Sequence, residues 1–123
     1  MKKKTVEKKT EIQAAEPTPT RALPPSAQHP FLGRRCVIRT YSAGVHIGTV
    51  KWVNPQDSRE VLLTDALRLW KWEGGGLSLS AVANNGIKGG RLNRTGEVYL
   101  TEAIEYIPTT DKAEASYERY VEE

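Results

Sequence analysis

Single cations, Arg68 and Lys71, interrupt the apolar side chains of Leu67-Arg68-Leu69-Trp70-Lys71-Trp72, and a triple glycine, Gly74-Gly75-Gly76, follows closely. Successive side chains of an extended chain point to opposite faces, so the pattern predicts a strand. Arg68, Trp70 and Trp72 fall on one face, and Leu67, Leu69 and Lys71 on the other. A helical continuation through Ala66–Trp70 satisfies propensity, but the alternation and the glycines favour a strand. Upstream, the β-rich runs Arg35–Tyr41 and Val45–Val53 flank Ser42-Ala43-Gly44 and read as a hairpin. Asn54–Ser58 is a turn cluster, Glu60–Thr64 a third strand, and Asp65-Ala66 a bend before the tryptophan strand.

Helical spacing appears in two places. Leu79, Val82 and Ala83 follow Ser78 and Ser80, either of which caps free amides, and Gly86 stands where a helix ends. Residues 84–96 read as a loop. Residues 97–107 return to β as one strand with an irregularity near Thr101-Glu102, and Pro108 ends it. Asp111–Val121 fits a terminal helix capped by Thr110 or Asp111. The expected fold is α+β: a small, mostly antiparallel sheet of about five strands with one inserted helix and a C-terminal helix, in one domain over residues 30–123. So small a core gains from self-association, and a homo-oligomer is expected.

Residues 1–29 are different in kind, with lysines at 2–4 and 8–9, four of the seven prolines, and few large apolar side chains. Such a segment buries too little surface to offset its ordering entropy, and it reads as a disordered basic tail. It lacks the apolar core of a signal peptide, and no apolar run in the chain is long enough to span a membrane. A cytoplasmic protein is expected.

The net charge of +3 divides unevenly: six of the 18 basic and three of the 15 acidic residues lie in the first 29, so the body is neutral. A neutral body is a poor match for tight duplex binding, which depends on neutralising many phosphates. Within it, residues 84–96 carry Lys88, Arg91 and Arg94 with no acid, whereas residues 97–123 are acidic. The single cysteine, Cys36, permits neither an internal disulfide nor a multi-thiolate zinc site, and it reads as a small buried hydrophobe. His29 and His46 lie far apart, so neither a metal nor a cofactor is expected.

Two indoles and a guanidinium on one face either pack a small β core or present a stacking surface. In the second case Arg68, Trp70, Trp72, Ser78, Ser80, Lys88, Arg91 and Arg94 form one proposed site. The aromatic faces take bases, the helix N-terminus and hydroxyls take phosphates, and the basic loop closes over them. The glycines lack a G-x-G-x-x-G or Walker pattern, and the basic loop reads equally as a solvated connection. Ser42 and His46 are spaced for a nucleophile and base, but no third group or strand-elbow-helix motif accompanies them. The chain reads as a non-enzyme.

The block Arg39-Thr40-Tyr41-Ser42-Ala43-Gly44-Val45-His46, the Leu67–Trp72 segment, Leu77-Ser78-Leu79-Ser80 and Leu100–Pro108 occur in this order. Over residues 35–112 the chain resembles a family of small phage and prophage proteins of unknown function. That resemblance implies a phage-type protein acting in the host cytosol, where small phage proteins often bind host molecules and some unrelated or distantly similar ones sequester cyclic nucleotide immune signals. The leading expectation is a non-enzymatic protein that sequesters a nucleotide-like signal. The alternatives are a single-strand-binding accessory protein, with diffuse nucleic-acid contact through the basic tail, and a structural or host-protein-binding module.

Overall fold

The computed structural model describes residues 23–123, and the expected basic tail and its nucleic-acid contact over residues 1–22 lie outside the described residues. The fold is α+β. Its elements are β1 (Arg35–Thr40), β2 (Val45–Asn54), β3 (Asp57–Glu73), α1 (Leu79–Asn85), β4 (Gly89–Leu100), β5 (Ala103–Pro108), α2 (Asp111–Glu118) and β6 (Val121–Glu122). They form one sheet in the order β5-β1-β2-β3-β4-β6, antiparallel except where β6 meets β4. No helix of the described residues is long and apolar enough to cross a membrane.

The expected single strand over 97–107 is two strands, on different sides of the sheet order. Only Thr101 and Glu102 separate β4 from β5, yet β3, β2 and β1 stand between them. A flat sheet would put them roughly 19 Å apart at about 4.8 Å per strand, farther than three residues reach. The sheet therefore curls. Tyr106 Oη on β5 donates to the Ser58 carbonyl on β3 at 2.9 Å, and Leu100 and Ala103 join Cys36, Ile38, Val50, Val53, Val61 and Leu63 inside the curl.

The opposite face is covered by the helices. Val37, Ile47, Leu67, Leu69 and Leu92 from the sheet pack with Val82 and Ala83 of α1 and with Ala113 and Tyr117 of α2. Ser78 caps α1 by accepting from the Ala81 amide at 3.1 Å, and Thr110 caps α2 by accepting from Ala113 at 3.1 Å. Arg35 ties β1 to α2 through Glu114 at 3.0 Å.

The third strand and the tryptophan strand are one element, β3, of 17 residues. Its side-chain parity changes twice. Asp65 has φ 49°, and the pairing shifts around Ala66, so Val61 and Leu63 point into the curl whereas Leu67 and Leu69 point to the helices. Gly48 on β2 fits this irregularity, because a Cβ there would lie 3.1 Å from those of Leu63 and Ala66. A second shift lies between Leu69 and Lys71.

The expected basic loop over 84–96 is strand β4 from Gly89 onward, paired with β3 along its length. The terminal helix stops at Glu118 rather than Val121, because Val121 and Glu122 leave it to pair with Leu92 and Asn93. Residues of the expected tail also belong to the fold: the Ala27 amide donates to the Val53 carbonyl at 2.8 Å, and Trp52 Nε1 to the Pro24 carbonyl at 2.7 Å.

Candidate functional site

The turn between β1 and β2 forms one wall of a pocket of about 440 Å³, and β3 forms the other. Ser42, Ala43 and Gly44 line the first wall, and Arg68, Trp70 and Trp72 the second. Internal bonds set the shape of the turn. Thr40 Oγ1 donates to the Gly44 carbonyl at 2.7 Å and accepts from the Ala43 amide at 2.8 Å. Outside, Ser42 Oγ donates to Glu102 Oε1 at 2.6 Å.

On β2, just past the turn, His46 is fully buried. Its Nε2 lies 2.9 Å from the Ala43 carbonyl, which only accepts, so Nε2 carries the proton and Nδ1 is a bare acceptor. Nδ1 has no partner. Burial holds the His46 pKa below its ordinary value; the Ala43 bond works against this shift and the nearby Arg68 charge adds to it. With Ser42 turned to Glu102 and His46 Nε2 engaged by Ala43, the two side chains do not form a nucleophile–base pair.

Arg68 sits opposite His46 on the neighbouring strand. Its Nη2 donates to the Ala43 carbonyl at 3.3 Å, its guanidinium carbon lies 5.2 Å from the Trp70 ring centroid, and its buried Nε has no acceptor among the described residues. Arg35, Arg39, Arg59, Arg91 and Arg94 each meet a carboxylate, whereas Arg68 meets none among the described residues. Among the described residues no acid lines the pocket. Trp70 is 64 % exposed and is oriented by donating Nε1 to Asn93 Oδ1 of β4.

The expectation that Arg68, Trp70 and Trp72 share one face is corrected. The shift between Leu69 and Lys71 leaves one extra residue on β3, and Trp72 returns to the helix side, where it packs partly against the core. The two rings therefore differ in setting: Trp72 is partly buried against the helix-side core, and Trp70 is open to solvent.

The other proposed site residues lie elsewhere. Ser78 is occupied in capping α1, and Ser80 is exposed on that helix. The triple glycine serves close packing. A Cβ on Gly75, at φ 76°, would run into the Gly86 carbonyl, and the Gly75 carbonyl accepts from Asn85 Nδ2 at 3.1 Å. Lys88 is exposed, with its amide bonded to Glu73 at 2.7 Å. Arg91 is paired with Glu122 at 2.8 Å, and Arg94 with Glu118 at 2.6 Å and Glu123 at 3.3 Å. These bonds hold the Glu118 and Glu122 carboxyls below the usual range. Sequence reading missed the turn wall and His46 beneath it, although the Ser42-Ala43-Gly44 hairpin signal already placed that turn at one end of the sheet.

Among the described residues no cluster of His, Cys, Asp and Glu is arranged to hold a metal ion. Neither a curated protein nor a solved structure matches the chain. A family model does, covering residues 33–117 from the start of β1 to the last turn of α2, and the chain belongs to the family described as a domain of unknown function (DUF6948).

Proposed function

We propose that this chain is a non-enzymatic binding protein of phage type whose pocket takes a nucleotide-like ligand, a planar ring on Trp70 and an anionic group on Arg68. The observation that carries this reading is Arg68 itself. Among the described residues it is a half-buried guanidinium without a carboxylate, with a buried Nε–H lacking an acceptor, stacked beside an open indole. An unpaired buried donor costs about 1–3 kcal/mol, and an anion arriving at that edge relieves the cost with a charge-assisted bond. An indole with one face in solvent supports a stacked base. Sequestration of a cyclic nucleotide signal in a bacterial host requires binding alone, and this is the biological role we favour.

The test is a thermal-shift and calorimetric screen of the full chain against cyclic di- and trinucleotides, mononucleotides and a short single-stranded DNA. A ligand that binds only the native state raises the melting temperature. The expected result is a rise with a nucleotide that Arg68→Ala and Trp70→Ala both abolish while melting near the wild type when ligand is absent. No shift with any nucleotide overturns the reading. A shift confined to the single strand, with steep salt dependence, replaces it with an accessory role on nucleic acid.

A further inference from the structure

The same parity shift that removes Trp72 from the open face brings another residue onto it. Leu69 pairs with Leu92 and both point into the helix-side core, while Trp72 pairs with Gly90 on that same side. Lys71 and Arg91, paired between them, consequently occupy the face away from the helices, and both are exposed. Arg68 and Asn93 form the next pair on this face, with Asn93 holding the Trp70 indole. Trp70 thus stands between two cationic positions: Arg68 toward the turn, and Lys71 with Arg91 toward the strand's far end. At roughly 3.3 Å per residue the two lie on the order of 10 Å apart along β3.

The acids on this strip are few and identifiable. Glu73 bounds it at the end of β3. Glu122 enters from β6 and holds Arg91 through Nε at 2.8 Å and Nη2 at 3.1 Å, the two-point geometry a phosphate would adopt. Both partners are more than half exposed, and β6 has only two residues, so little resists displacement of the carboxylate. Lys71 has no carboxylate among the described residues.

We propose that Lys71 and Arg91 form a second anion subsite across Trp70 from Arg68, and that the ligand is a dinucleotide-type molecule with two separated phosphates. Glu122 occupies Arg91 until a phosphate replaces it. This inference rests on the nucleotide-binding reading of the pocket and adds the ligand's charge and span. One phosphate lies at Arg68, the base stacks on Trp70, and the second phosphate reaches Lys71 and Arg91.

The experiment is isothermal titration of the full chain with cyclic di-AMP, with the linear dinucleotide pTpT, and with cyclic AMP as the one-phosphate probe. The quantity read is the ratio of two-phosphate to one-phosphate affinity. At least one two-phosphate probe is expected to bind tenfold or more tighter than cyclic AMP. Lys71→Ala should reduce that ratio about tenfold, the lower range of a charge-assisted bond, and Glu122→Gln should raise it. Both positions are exposed, so these variants should melt with the wild type. A ratio near one, or a ratio that neither substitution moves, overturns the second subsite while leaving the pocket reading intact. Absence of binding by every probe overturns the pocket reading, and the second subsite with it.

Discussion

His46 and Arg68 face each other across β2 and β3 and share one acceptor: the Ala43 carbonyl takes His46 Nε2 at 2.9 Å and Arg68 Nη2 at 3.3 Å. The buried imidazole and the pocket's cation are therefore fixed to the same turn. The arrangement requires a neutral imidazole, because a proton on Nδ1 would be buried without an acceptor and close to a guanidinium.

A dependence of stability on pH follows. The folded His46 pKa lies below its ordinary 6.5, so the unfolded chain takes up the proton first as pH falls. Stability from this residue is complete above about pH 6.5 and is lost below it until the folded pKa is reached. His29, also held low by burial, contributes in the same direction. Urea unfolding at intervals from about pH 7.5 to about pH 5 should show falling stability, with a shallower slope in His46→Gln. Equal slopes in the two proteins would mean that His46 is not held neutral.

The two tryptophans of β3 should respond oppositely to truncation. Trp70 is 64 % exposed, and Trp70→Ala should change unfolding stability by less than about 1 kcal/mol while removing ligand binding. Trp72 packs partly against the helix-side core and donates Nε1 to the Gly76 carbonyl at 3.3 Å. Trp72→Ala should therefore cost roughly 2–4 kcal/mol, at or below the range for buried aromatics. Denaturant unfolding of both variants checks the assignment, and equal costs would contradict the parity shift between Leu69 and Lys71.

That shift also marks where the sequence stops being readable. Alternation identifies a strand and even its two faces, but it assumes one residue per step. An extra residue near Trp70, like the positive φ at Asp65, reverses every later assignment; the apolar phase breaks at Leu69-Trp70, but residue type alone does not distinguish a bulge there from two indoles on an open face. Local signals survived. The Ser42-Ala43-Gly44 hairpin, the Ser78 and Gly86 ends of α1 and the Thr110 cap of α2 all stand where their chemistry placed them. Long-range pairing was not legible: Arg91 and Arg94 read as an unopposed basic loop because their carboxylates lie some 25 to 30 residues on. The same limit hid β5, whose partner is β1 rather than its neighbour in sequence.

The triple glycine is needed for packing rather than for phosphate. Gly75 combines a φ of 76° with an approach to the Gly86 carbonyl that leaves no room for a Cβ. Gly75→Ala should cost more than about 2 kcal/mol, since both backbone conformation and contact oppose it. Gly44→Ala meets no atom within 4 Å and carries only the conformational cost of its φ of 86°, about 1–2 kcal/mol. Chemical denaturation of the pair tests this order, and a milder effect at Gly75 would remove the packing argument.

The helices that back the pocket sheet offer a test of satisfied against orphaned hydrogen bonds. Tyr117 Oη donates to the Val82 carbonyl at 2.7 Å, and that carbonyl also accepts from the Gly86 amide at 3.1 Å. Tyr117→Phe removes one bond but leaves the acceptor partnered, and about 1 kcal/mol should be lost. Ser116 Oγ accepts from the Ile87 amide at 3.0 Å in a buried setting while donating to Ala113 at 2.6 Å. Ser116→Ala strands the Ile87 N–H without water, at a cost of roughly 1–3 kcal/mol. Although serine is the smaller side chain, its loss should lower the urea midpoint more than loss of the tyrosine hydroxyl. The reverse order would show that the Ile87 amide finds another acceptor, and that α2 is held to the sheet by apolar packing around Tyr117 alone.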